Sequence, residues 1–197
     1  MARTQAADYG DKRASITHEA AKLFAEYGFA GASLSVLASK CDVSKSVLYH
    51  YFSSKEEMLY EIMSTHMDLL LETTQSEFYK NVPAQRRFVR LSELLLERYS
   101  GGQDAQKVLL NDLGYLPKKE RSDIIQRQRK LIAFAEDCLM KAIGRRKPNK
   151  DVLRAQIMLF FGMINWSHSW FNPKKGLTRD RLAKQAAEAT ILPLLKS

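Results

Sequence analysis

Cysteine is scarce. Cys41 and Cys138 are the only two in 197 residues, they lie far apart, and no CxxC pairing exists. A disulfide framework and a cysteine-built zinc site are both excluded, and the two thiols read as small buried side chains of a reducing compartment. Proline and glycine are also few, at five and nine, and no β-branched run alternates with polar residues. That excludes collagen-like, proline-rich and all-β chains. The most apolar run, residues 157–164, is too short to cross a bilayer. The start, Met1-Ala2-Arg3-Thr4-Gln5, has no apolar signal core, so a cytoplasmic location and no membrane partner are expected. No ExxH or HxxxH pair, glycine-rich phosphate loop or nucleophile–base pair occurs. No catalytic residue, metal site or bound cofactor is therefore expected, and the chain does not read as an enzyme.

What is present is charge and helical periodicity. The net charge of +9 points to a polyanionic partner. Its placement is uneven: residues 1–58 hold seven basic and seven acidic side chains, so the whole excess lies in 59–197. The composition is 45% hydrophobic, enough to bury a sizeable core.

Apolar residues recur at three and four throughout, which predicts an all-α fold. A first helix is expected over 12–27, with Ile16, Ala20, Leu23, Phe24 and Tyr27 on one face and Gly28 as its stop. Short helices should follow over 34–40 and from Ser44 to Phe52, capped by Ser33 and Ser44. A longer one should run over 55–80, with Ser54 as cap and Glu56 and Glu57 in its first turn. Beyond Pro83, helices are expected over 84–99, 104–113, 118–143, 150–171 and 178–195. The joining loops are short, so neighbouring long helices should pack antiparallel.

Residues 29–58, FAGASLSVLASKCDVSKSVLYHYFSSKEEM, read as helix, tight turn, helix. Val36, Leu37, Val43, Val47, Leu48 and Phe52 can form the small core between them. Asp42 suits a turn that visits the left-handed region. The second short helix would present its first residues to the major groove of DNA. Ser33 and Ser44, with Ser35, can meet phosphates through hydroxyls and free N–H groups. Lys45, Ser46 and Val47 open that helix, where base contacts are expected, and Val47 suits a thymine methyl. Tyr49 and His50 follow, and Tyr51 and Lys55 are placed to hold the backbone.

This stretch resembles the TetR family of regulators. The matching residues are Gly28-Phe29, Ser33, Val43-Ser44, Leu48-Tyr49, Tyr51-Phe52 and Ser54-Lys55-Glu56. Asp42 and Ser46 stand where the family pattern has glycines. The resemblance implies an N-terminal helix-turn-helix domain preceded by an arm, over 1–58, and a helical ligand-binding and dimerisation domain over 59–197. It implies a homodimer on a palindromic double-stranded operator, with the last two long helices forming a four-helix bundle with their symmetry mates.

The helix over 150–171 is apolar nearly all round, and such a helix must be buried on every face, part in its own chain and part in a twin. The last helix, with Ala186 and Ala187 permitting close approach, is the natural second dimer element. Asn165 and His168 on the first of these either satisfy each other or the dimer mate, or line a ligand pocket or its mouth. The string FFGMINWSHSWFNPKKGLT further resembles acyl-CoA-responsive members of that family. The resemblance implies an acyl-CoA thioester as small-molecule effector, with Asn165, Trp166, His168 and Trp170 at the ligand and Arg86, Arg87 and Arg90 near its anionic end. The loop Arg145-Arg146-Lys147 offers further cations, or is simply solvated. A ligand-released repressor is the expected function; the alternative is a DNA-binding or protein-tethering module that needs no ligand.

Overall fold

The computed structural model describes residues 2–196, with side chains over 9–195. Nine α-helices span the described residues, which contain no strand: α1 (Ala2–Gly31), α2 (Leu34–Lys40), α3 (Lys45–Tyr51), α4 (Lys55–Glu72), α5 (Arg87–Gly101), α6 (Gln103–Asn111), α7 (Lys118–Ile143), α8 (Lys150–Trp170) and α9 (Arg179–Lys196). The fold is all-α, as the periodicity predicts. No helix among them is long and apolar enough to cross a membrane.

Most boundaries match expectation, and the departures have local causes. α1 begins at Ala2, well ahead of residue 12. Gly28 breaks it (φ 71°, ψ 160°) without ending it, because the chain re-enters helical geometry and Ala32 N–H donates to Gly28 O at 3.1 Å. α4 stops at Glu72 rather than 80. There the hydroxyls of Thr73 and Thr74 donate to the carbonyls of Leu70 and Leu71, and their N–H groups close three-residue turns onto the same oxygens. Local side-chain bonding of this kind competes with the helical ladder.

Two compact units result. The first takes residues 1–67 with 102–125, and the second takes 68–101 with 126–197. This division differs from the boundary expected between 58 and 59, which falls inside α4. α6 packs against α1, which brings residues 102–125 into the first unit. Ile16, Ala20, Leu23 and Phe24 of α1, Leu37, Leu48 and Phe52, and Met58, Leu59 and Met63 of α4 are buried there. Tyr27, expected on the core face, is 57% exposed. His66 is buried and its Nε2 lies 2.7 Å from Gln106 Oε1; burial pushes its pKa down, which favours the neutral ring.

In the second unit, α5 packs against α9 and α8 packs against both. Phe88, Leu91, Ser92, Leu95 and Tyr99 form the buried stripe of α5 at helical spacing. The rings of Phe88 and Phe160 meet at a 50° tilt with their centres 4.7 Å apart. Ser92 Oγ donates to Ala183 O at 2.9 Å, a close approach that Ala183 and Ala187, both fully buried, allow.

Candidate nucleic-acid interface and ligand region

The turn between α2 and α3 is built as its residues require. Asp42 carries the left-handed conformation (φ 53°) and is the sole non-glycine residue with positive φ among the described residues. Val43 N–H closes the turn on Ala38 O at 3.0 Å. Ser33 and Ser44 cap the two helices, accepting from Ser35 N–H and Val47 N–H, each at 3.3 Å. Ser44 Oγ also lies 2.7 Å from Ser46 Oγ, so the serine in place of a glycine extends the cap. Leu37, Leu48 and Phe52 form the buried side, whereas Val36 and Val47, also expected in that core, stay at the surface. Lys45, Ser46, Val47, Tyr49 and His50 are all exposed on α3, and Tyr51 is half-buried. One short helix thus presents a continuous polar and aromatic face over a solid apolar back.

The cations of this unit are placed differently from expectation. The sequence pattern places Lys55 at the DNA backbone, but its ammonium donates to Phe29 O and, at 2.7 Å, to Ala32 O, and lies over the Phe29 ring at 4.6 Å. It caps the C-terminal end of α1, and a phosphate role for it is at odds with that position. Burial lowers its pKa, opposed by the nearby carboxylates of Glu56 and Asp112. Asp112 is buried and accepts Phe29 N–H at 3.3 Å; burial raises its pKa, opposed by that hydrogen bond and by Lys55.

Lys12 and Arg13, which the sequence pattern did not single out, do the same at the other helix ends. Lys12 Nζ donates to Cys41 O at 3.2 Å, at the end of α2. Arg13 donates to Tyr51 O, at the end of α3, lies 4.1 Å from the Phe52 ring centre, and pairs with Glu57 (3.1 Å) and Glu61 (3.2 Å). Glu57 is held below the usual carboxylate range first by the Ser53 hydroxyl, against burial, then by Ser53 N–H and Arg13. Spacing in one dimension offers no signal for these bonds, since the carbonyls they reach are 29 and 38 residues away.

In the second unit the expected ligand residues separate. Trp166 and Trp170, four apart, share an outward face of α8 and are 66% and 53% exposed. With Met158, Leu159, Met163 and Leu182 they line an apolar groove of about 1020 Å³ along α8 and α9. Asn165 and His168, three apart, occupy another face. Asn165 Oδ1 accepts from Tyr99 OH at 2.8 Å, and His168 Nδ1 lies 2.7 Å from the Asn165 carbonyl. Arg86 and Arg90 line a separate hollow of about 200 Å³ with Val82 and Glu93. There Arg90 pairs with Glu93 at 3.2 Å, while Arg87 Nε donates to Val82 O at 3.4 Å. The seven residues therefore do not line one cavity: Trp166 and Trp170 line the α8–α9 groove, Arg86 and Arg90 the hollow beside Val82, and Asn165 lies against Tyr99.

The capping geometry separates two lysines by role. Lys55→Ala leaves two helix-end carbonyls without their donor and should lower unfolding free energy by about 1–3 kcal/mol. Lys45→Ala, on an exposed side chain, should stay within about 0.5 kcal/mol of the parent. Urea unfolding midpoints at constant slope measure both.

Residues 16–62 match the profile described as bacterial regulatory proteins, tetR family, and residues 81–192 match the tetracyclin repressor-like C-terminal domain. A TetR-family transcriptional regulator from Bordetella parapertussis 12822 is 36% identical, with a TM-score of 0.84 over 91% of this chain and 93% of that one. AibR, solved in complex with isovaleryl coenzyme A and operator DNA, is 25% identical, with a TM-score of 0.77 over 90% of this chain and 97% of AibR. YhgD of Bacillus subtilis (strain 168), an uncharacterized HTH-type transcriptional regulator, is 23% identical over 76% of this chain and 79% of its own length. The C-terminal profile alone spans more than half of the chain, the N-terminal profile overlies the α2–α3 face, and the protein belongs to the TetR family of transcriptional regulators.

Proposed function

We propose that the protein is a homodimeric repressor that leaves a palindromic operator when it binds a small molecule, an acyl-CoA thioester. The observation that carries the DNA part is the exposed α3 face of Lys45, Ser46, Val47, Tyr49 and His50 above the buried Leu48 and Phe52. Ser33, Ser35 and Ser44 lie at the entries of α2 and α3, where hydroxyls and N–H groups suit phosphate. Lys45 is the α3 cation with no carbonyl to cap, and Lys40 at the end of α2 is exposed as well. With Lys12, Arg13 and Lys55 engaged inside the unit, few counterions are displaced on binding.

The dimer part rests on the α8–α9 groove. Leu159, at 59% exposure, and the two tryptophans make an apolar surface that a monomer would leave in water. A second copy presenting the same face would cover it, and a two-fold interface of this kind is self-complementary.

The ligand part is supported by charge and by similarity. All of the +9 excess lies outside residues 1–58, and AibR binds isovaleryl coenzyme A. Arg86 and Arg90, with Arg87 beside them, are the candidate cations for the phosphates. The Asn165–Tyr99 pair between α8 and α5, with His168, is a polar end for a thioester. Trp166 and Trp170 belong with the dimer groove in this reading. Release follows if the ligand favours a conformation whose two α3 helices no longer fit half-sites about 34–36 Å apart.

Three measurements test these parts. Lys45→Ala should reduce the slope of log affinity against log salt by roughly one unit, on operator and random duplex alike, whereas Lys55→Ala should leave the slope unchanged. The reverse pattern would return Lys55 to the phosphates. Sedimentation should show a dimer at micromolar concentration, and Leu159→Glu should shift it to a folded monomer; a monomeric parent protein refutes the interface. Acyl-CoAs should release DNA where the matching free acids do not. Equal release by free acids would remove the coenzyme A assignment, and no release by either at millimolar concentration would remove ligand control while leaving DNA binding intact.

A further inference from the structure

We infer that Tyr9, on α1 and outside the helix-turn-helix, is a positioning residue that sets sequence specificity through His50 and Tyr51. The inference rests on α3 being the recognition helix. Three rings meet here, one from α1 and two from the end of α3. The Tyr9 ring centre lies 4.6 Å from that of Tyr51, at 30° between planes. It lies 5.9 Å from that of His50, edge to face at 84°. His50 and Tyr51 close the triangle at 5.4 Å and 80°.

The backbone of α3 does not need this cluster. Leu48 and Phe52 anchor it in the core, and Arg13 caps it at Tyr51 O. What those anchors leave free is the direction of the His50 and Tyr51 side chains. An exposed aromatic side chain otherwise samples several rotamers, and binding must restrict it. The Tyr9 ring supplies that restriction beforehand, because stacked and edge-to-face pairs have preferred geometries. Tyr9 remains 40% exposed and His50 is exposed, so the cluster lies at the surface rather than in the core. Tyr9 carries no charge, so its effect should fall on the discrimination between sequences and not on general attraction to phosphate.

The test uses the full-length protein and a duplex selected by it from a random-sequence pool, with an unselected duplex as reference. Tyr9→Ala should weaken binding to the selected duplex roughly 3- to 10-fold, the range expected of an aromatic pair. Binding to the unselected duplex and the salt slope should not change, and the unfolding midpoint should move by no more than roughly 2–4 °C. Tyr9→Phe should restore the parent ratio, since the ring and not the hydroxyl makes the contacts. In a Tyr51→Ala background, Tyr9→Ala should cost less than it does in the parent, because the Tyr9–Tyr51 contact is already gone and only the one with His50 remains. A parent-like ratio in Tyr9→Ala, an equal loss on both duplexes, failure of Tyr9→Phe to rescue, or additive losses with Tyr51→Ala would each overturn the inference. Val47→Ala and Tyr49→Ala separate its failure from that of the reading beneath it. If they too leave selected-duplex binding intact, α3 is not the recognition helix; if they lose it and Tyr9→Ala does not, only the role of Tyr9 fails.

Discussion

Helices α2 and α3 have seven residues each, too short to be stable alone, and each ends on carbonyls that have no partner within the helix. Lys12 and Arg13 from α1 meet those ends at Cys41 O and Tyr51 O. In return, Lys55 at the start of α4 meets the end of α1 at Phe29 O and Ala32 O. A cation is favoured at a helix C-terminus because the backbone dipoles leave partial negative charge there. Each of these three also satisfies oxygens that would otherwise be left without donors in partly buried positions. The helix-turn-helix is therefore held by a ring of reciprocal caps around a small apolar centre. The geometry of the exposed α3 face depends on that ring.

This arrangement accounts for a feature that composition alone makes puzzling. A DNA-binding segment with no net charge looks poorly suited to a polyanion. Three of its seven cations, Lys12, Arg13 and Lys55, are directed inward at helix ends. Hydroxyls and helix entries at Ser33 and Ser44 remain on the outside with Lys40 and Lys45.

The second unit meets a different constraint. α8 has more apolar surface than its own chain covers. Ile157, Phe160, Phe161 and Ile164 are buried against neighbouring helices, while Met158, Leu159, Met163 and the two tryptophans remain open. The apolar surplus and the polar Asn165–Tyr99 contact lie on different sides of the same helix. One helix therefore carries an open apolar face on one side and contacts the interior of its own unit on another.

Much of this was readable in one dimension. The helices, the serine caps, the Asp42 turn and the all-round apolarity of α8 follow from interactions within three or four residues, so a local pattern suffices to determine them. The fates of Lys12, Arg13 and Lys55 do not, because the carbonyls they reach lie 23 to 38 residues away in the chain. A long cationic side chain offered the same appearance in the sequence whether it faces DNA or a helix end. The allotment of α6 to the N-terminal unit and the separation of Trp166 and Trp170 from Asn165 were likewise settled by packing. Periodicity says that a helix has an apolar side; only the positions of the other helices decide which neighbour covers it and which part stays open.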